Sequence, residues 1–310
     1  MAARKTASII IPNYNGREHL QRLLPSIAGQ TAGNYEVIIV DDCSPDRSAV
    51  EYVRTFIKDY DNMRLIENED NLGFVKTCNK GLKLAEGNYI CTLNNDTKLE
   101  SNFVERNVQV MDEDSSIGVL SCVIVDQYGN NWFSGGSFKA GVRVNLRDDF
   151  QGVRTVDWVA GTAPFYRKDL FAEVGLLDET FVMYHEDVEF CLRVRHKTRY
   201  SVCMFSDKLV THYVQDRRNP TFDTAKRLKL CYYGHRNNMV LLKTYSRGSI
   251  PKALLRHLLD IIILAMVGIR RFRPLFSVQA AIFVVRGTID GLRMKQNRQV
   301  RSASGRRSHC

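Results

Sequence analysis

The stretch Tyr184 to Arg193, YHEDVEFCLR, sets a histidine and three acids, Glu186, Asp187 and Glu189, beside apolar residues at helical spacing. A carboxylate kept among apolar and like-charged neighbours gains proton affinity, which is what a general base needs to take a proton from a hydroxyl. Asp187 is the candidate base. The same acids also suit the first turn of a helix running through Phe190, Leu192 and Val194, where the helix dipole favours negative charge. Both readings fit this segment taken alone.

Three more polar clusters each close an apolar, strand-like run. Pro12-Asn13-Tyr14-Asn15-Gly16 follows the run from Ala7, Asp41 to Ser44 follows Val37 to Val40, and Asn94-Asn95-Asp96-Thr97 follows Tyr89 to Leu93. Between them, Leu20, Leu23, Leu24 and Ile27 recur at helical spacing within Arg17 to Ala28. Further helices are expected near 49–60 and 74–85, with a strand near 64–67. The alternation predicts an α/β fold with a mostly parallel central sheet and helices on both faces. Ligands of such sheets gather where the strands' carboxyl ends open into loops, which is where these clusters stand. No G-x-G-x-x-G follows the first strand and no G-x-x-x-x-G-K-[ST] occurs. A nucleotide could still bind through its base and ribose, with a metal ion holding the diphosphate.

The second half is less regular. Strands are expected near 118–125, 165–167 and 201–205, and a helix near 168–174, with Trp158 to Thr162 and His212 as further polar or aromatic landmarks.

At 310 residues and 44% hydrophobic content the chain can bury a full core. Its net charge of +10 is unevenly placed: residues 247–310 hold thirteen Lys and Arg against Asp260 and Asp290, while residues 1–246 are close to neutral. A neutral body argues against nucleic acid as partner, and a basic, apolar tail suits an anionic membrane surface. The run Ala253 to Ile269 is broken by Arg256, His257 and Asp260, and its uncharged core of nine residues is short of the ~20 needed to span a bilayer. It and the run Leu275 to Val285 read as interfacial helices on the inner leaflet, or as helices covering the catalytic domain or a dimer interface. The expected division is 1–246, 247–295 and a disordered basic tail at 296–310. Eight cysteines without a C-x-x-C pair favour free thiols in a reducing cytosol and argue against zinc. The short apolar stretch after Arg4 and Lys5 is no signal peptide, so the expected location is the cytoplasm, peripheral on the inner face of the cytoplasmic membrane.

Six blocks, SIIIPNYNG (8–16), EVIIVDDCSPD (36–46), NLGFVKTCNKGL (71–82), EGNYICTLNNDT (86–97), WVAGTAPFYRKDLFAEVGLLDE (158–179) and YHEDVEFCLR (184–193), together resemble the family 2 inverting glycosyltransferases of GT-A fold. The resemblance spans about residues 6–215, and within the family it leans toward rhamnosyltransferase-like enzymes of surface polysaccharide synthesis. It implies a nucleotide-diphosphate sugar donor and a glycan or polyprenyl-linked acceptor. Donor contacts would come from Pro12, Tyr14, Asn15, Asp41, Asp42, Gly73, Asn95 and Asp96. A Mg2+ or Mn2+ ion would sit on Asp96, with His212 as an extra ligand. Asn94 and Asn95 stand where other members often carry a further aspartate. Trp158, Gly161 and Thr162 would form the acceptor wall, with Trp158 equally able to be core. Asp187 would be the base, with Glu186 tuning it or touching the acceptor.

Two other readings compete. A nucleotidylyltransferase uses a related sheet, but its Gly-rich, Arg- and Lys-containing loop after the first strand is missing from Pro12 to Gly16. An inactive binding relic of the fold is the other, and the joint presence of Asp42, Asp96 and Asp187 speaks against it.

Overall fold

The computed structural model describes residues 6–213, 224–270 and 274–294. The chain forms two compact units: Met1–Ser137, Val144–Val182 and Glu186–Val214 make the first, and Phe138–Arg143, Met183–His185 and Gln215–Cys310 the second.

In the first unit β1 (Ala7–Asn13), β2 (Tyr35–Asp41) and β3 (Met63–Glu67) pair in parallel, linked by α1 (Arg17–Ala28) and α2 (Ser48–Phe56). Then α3 (Phe74–Leu84) returns the chain to β4 (Tyr89–Thr92), which pairs parallel to β1 on its other side. Strands β1 and β2 are buried almost throughout, as expected where helices cover both faces of a parallel sheet. The α1 stripe Leu20, Leu23, Leu24 and Ile27 is buried as its spacing predicts.

The chain continues through β5 (Thr97–Leu99), α4 (Phe103–Glu113), β6 (Ile117–Asp126) and β7 (Asn131–Phe133). A separate two-stranded pair, β8 (Gly135–Lys139) and β9 (Val142–Leu146), precedes β10 (Val153–Thr155) and β11 (Phe165–Arg167). Short α5 (Leu170–Val174), then α6 (Glu186–Lys197) and β12 (Ser201–His212), complete the unit. The sheet order is β10-β12-β6-β11-β4-β1-β2-β3, and β11 inserts antiparallel between β4 and β6. The expected strand at 201–205 is longer than its apolar part. It runs to His212, because β12 pairs with β6 as far as Asp126 and with β5 from Leu99 to Thr97.

The second unit holds three long helices, α7 (Thr224–Tyr245), α8 (Ile250–Arg270) and α9 (Pro274–Arg293). Met239 and Leu242 of α7 pack with Ala253 of α8, flanked by Phe138 and Ile250. Glycines 287 and 291 let α9 lie against α7, since a Cβ at either would overlap the Tyr232 or Arg236 carbonyl. The sequence division at 246 falls after α7, whereas α7 belongs to the second compact unit, which also takes in Phe138–Arg143 and Met183–His185. Among the described residues no helix is long and apolar enough to cross a membrane. The basic tail at 296–310 lies outside the described residues.

Arg193 of α6 is fully buried. Its guanidinium donates to the carbonyls of Val174 (2.6 Å) and Leu176 (2.9 Å) and pairs with Glu189 at 2.8 Å. Glu189 is thus half of a buried pair that ties α6 to the end of α5. Arg193→Leu should lower stability by about 3–5 kcal/mol in urea unfolding, because it strands the Glu189 charge in the interior. A loss below about 1 kcal/mol would contradict this role.

Candidate functional site

The carboxyl ends of β1, β2 and β4 are tied together by side chains. Asn95 Nδ2 donates to Asn13 Oδ1, and Asn13 Nδ2 donates to Asp41 Oδ2, both at 2.8 Å. Ser44 donates to the same Asp41 carboxylate through its hydroxyl (2.7 Å) and its N–H (2.9 Å), and its Oγ accepts from the Asn15 N–H (2.9 Å). Asn15 adopts a φ of 52° to make this turn. A Cβ at Gly16 would overlap the Asn95 and Asn13 amides, so any larger residue there would displace this network.

Asp42 is buried, and it too is committed. Its Oδ1 accepts from Asn68 Nδ2 and the Leu72 N–H, both at 2.8 Å, and Oδ2 accepts from the Gly73 N–H at 2.9 Å. Gly73, at φ 83°, caps α3 in the left-handed region. The family resemblance implies nucleotide contact for Asp42 and Gly73; in the structure Asp42 is also the clamp that shapes the Leu72-Gly73 turn. Asn79 clamps in the same way, donating to the Leu177 carbonyl (3.0 Å) and accepting from its N–H (3.1 Å). Around these clamps Tyr14 is 49% exposed and Pro12 partly so, leaving an open ring face beside the strand ends.

Asp96 and His212 are brought together. Asp96 Oδ1 stands 3.2 Å from His212 Nε2 with no aligned hydrogen bond of its own, and His212 Nδ1, also buried, has no partner. Burial would raise the Asp96 carboxyl, but the contact with His212 and its charge, and then the charge of His19, outweigh it and hold the group below its ordinary 3.8. Among the described residues no group of three or more His, Cys, Asp or Glu could hold a metal alone. One carboxylate and one imidazole fit a Mg2+ or Mn2+ whose remaining ligands are phosphate oxygens and water, as is usual for these ions at phosphate sites.

Of the three acids in α6, only Asp187 is partly exposed; Glu186 and Glu189 are buried. Asp187 Oδ2 accepts from the Gly161 N–H (2.9 Å) and Oδ1 from the Val188 N–H (2.8 Å). One residue on, the Thr162 carbonyl accepts from the Asn94 N–H at 2.9 Å, so a single backbone crossing links the Asp96 loop to Asp187. Glu186 faces inward: burial first, then the charges of Glu186 and Asp42, push the Cys78 thiol well up.

Trp158, assigned to the acceptor wall, is 3% exposed and packs on Phe133 at 4.9 Å between ring centroids, which is the core alternative. The half-buried tryptophan near the strand ends is Trp132, edge-on to His212 at 4.4 Å. Sequence reasoning also missed Asn13, the hub of the amide network, and His19. Only the position of Asn13, at the end of an apolar strand, could have signalled it.

The Glycosyl transferase family 2 model matches residues 8–175, and the chain belongs to that family. An uncharacterized glycosyltransferase of Haemophilus influenzae is 34% identical over 113 residues, 36% of this chain and 37% of that protein. A putative teichuronic acid biosynthesis glycosyltransferase, TuaG, of Bacillus subtilis is 32% identical over 108 residues, 35% of this chain and 42% of that protein. The chain therefore spans about two fifths of the length of these relatives. Among solved structures, S. aureus TarS 1-349 in complex with UDP aligns with a TM-score of 0.56 at 19% identity, over 93% of this chain and 90% of that one. GalNAc-T7 with UDP, GalNAc and Mn2+ aligns with a TM-score of 0.59 at 17% identity, over 77% and 51%. These likenesses establish the GT-A fold, a mixed α/β unit around a mostly parallel sheet.

A carboxyl whose folded-state pKa is depressed adds stability that is complete above its unfolded value and is lost as pH falls through the folded one. Below pH 3.8 the melting temperature of the wild type should therefore fall more steeply than that of Asp96→Asn. Parallel curves would show that His212 and His19 do not hold the carboxylate.

Proposed function

We propose that this chain is an inverting glycosyltransferase. It moves a sugar from a nucleotide-diphosphate donor to a hydroxyl of a glycan or polyprenyl-linked acceptor. The observation that carries the reading is Asp187, the one partly exposed acid of α6, held by two backbone N–H donors beside the loop that bears Asp96. A carboxylate has about four acceptor positions, so two N–H bonds fix the group and leave room for an acceptor hydroxyl. Asp187 takes that hydroxyl's proton as the oxygen attacks the anomeric carbon on the face opposite the leaving nucleotide, so configuration inverts with no covalent sugar-enzyme intermediate.

Asp96 and His212 would hold the Mg2+ or Mn2+, which when bound supplies positive charge against the departing diphosphate. Tyr14 and Pro12 offer the apolar surface for the nucleobase, and the Asn13, Asp41 and Asn95 network keeps the loops that carry them in register. Gly161, whose N–H donates to Asp187, and the adjoining Thr162 would line the acceptor side, and the exposure of Trp132 suits it to the sugar-stacking role first given to Trp158.

Complexes of TarS and GalNAc-T7 carry UDP, which makes UDP-sugars the first donors to try; dTDP-sugars follow from the rhamnosyltransferase-like lean of the sequence. The teichuronic acid relative supports a place in surface polysaccharide synthesis. Residues 247–295 would attach the enzyme to the inner face of the cytoplasmic membrane. Asp187→Asn should lower kcat by about 10²–10⁴-fold while donor-induced stabilisation is retained. Full activity of that variant would remove the base from the account.

A further inference from the structure

A cavity of about 320 Å3 lies within the second unit, and its charged lining is mostly cationic. Arg143, Lys252 and Arg256 reach it, together with the rings of His185, His235 and His257. Its one carboxylate, Asp260, faces His235, with Oδ2 3.3 Å from Nε2, while His235 Nδ1 faces the Cys231 carbonyl at 2.7 Å. Both ring nitrogens of His235 are thus engaged, and Asp260 already has a partner.

The other two rings differ. His257 Nδ1–H donates to Thr288 Oγ1 (2.9 Å), whose own hydrogen goes to the Val284 carbonyl, and Nε2 faces the Asn238 amide at 3.4 Å. It is neutral and fully used, in keeping with a pKa lowered to about 4 by burial and then by His235. His185 is more than nine-tenths buried, and its Nδ1 has no hydrogen-bond partner. A buried polar atom left so is destabilising unless a ligand meets it. Burial, then the charges of Arg143 and His235, disfavour a proton on this ring, a bias that an arriving anion would reverse.

Helix α8, which supplies Lys252 and Arg256, also carries exposed Leu254, Leu255, Leu258, Leu259, Ile262 and Ile263. Leu259 and Ile263 follow Lys252 and Arg256 by seven residues, two helical turns, so the two cations mark the border between the cavity side and the apolar face. Such an arrangement fits an amphiphile with an anionic head, and the net charge of +11 over residues 247–310 has the complementary sign.

We propose that this cavity binds the terminal phosphate or diphosphate head of a membrane lipid, with the lipid's hydrocarbon along the exposed face of α8. The site takes a lipid that ends in phosphate, before any sugar is attached to it, so the proposal goes beyond the acceptor-hydroxyl reading and does not rest on it. Its test measures binding rather than transfer, so the two can fail separately. The full chain is mixed with phosphatidylcholine vesicles containing either phosphatidic acid or phosphatidylglycerol at equal surface charge, and with vesicles carrying a polyprenyl phosphate.

Phosphatidic acid and polyprenyl phosphate, which end in a phosphate monoester, should bind about tenfold or more tightly than the phosphodiester phosphatidylglycerol. Lys252→Gln with Arg256→Gln, both exposed and safe for folding, should abolish that difference, and His185→Gln should reduce it. Leu255→Ser with Leu259→Ser should weaken binding to every vesicle. Equal binding to phosphatidic acid and phosphatidylglycerol, or variants at Lys252 and Arg256 that keep the preference, would overturn the site. If inorganic pyrophosphate competes as well as the lipids and the leucine variants are indifferent, the cavity is a free-phosphate site and the lipid assignment is overturned.

Discussion

Two adjacent carboxylates, Asp41 and Asp42, are buried at the end of a parallel strand, and much of the site's geometry follows from their need for hydrogen-bond donors. An unpaired buried carboxylate is prohibitively costly. Asp41 is therefore met by Asn13 and Ser44, and Asp42 by Asn68 and the N–H groups of Leu72 and Gly73. The donors come from the β1 exit, the β2 exit and the loop between β3 and α3, so satisfying the pair fixes these three segments against one another. The Asn95 amide extends the same network to the β4 exit, and Asp96 is the next residue. Pre-organisation of this kind is what a nucleotide site needs, because loops already ordered cost no further entropy when ligand arrives.

The three acids of α6 show how environment separates identical chemistry. Glu189 is spent on Arg193, Glu186 is turned into the interior beside Cys78, and Asp187 alone keeps a partly open carboxylate. The acidic first turn does serve the helix dipole, as one sequence reading held. Burial then decides that a single member of the cluster stays partly open to solvent.

Much of the first unit was legible because its strands and helices are buried on regular faces: α1 runs over the residues its periodicity marks, and β1 to β4 follow in the expected order. What could not be read is which polar residue turns inward. Asn13 and Asn95 are 82 positions apart, and nothing local in either predicts their bond. The same holds for the tryptophans. Trp158 carries the family-like motif yet packs against Phe133 and Gly136, whereas Trp132, in a three-residue strand without periodicity, stands beside His212. Helix α7 escaped notice because its apolar and polar residues are mixed around its circumference, so it shows no single apolar stripe.

The most direct measurement is the thermal stability of the purified chain with UDP-, dTDP- and GDP-sugars, each with and without Mn2+, in the wild type and in Asp96→Asn. The account predicts that one nucleotide class stabilises the wild type only when metal is present, and that Asp96→Asn loses this stabilisation, since a ligand confined to the folded state raises its stability. Stabilisation that ignores metal and survives Asp96→Asn, or none with any donor, would contradict a donor site built on these strand ends.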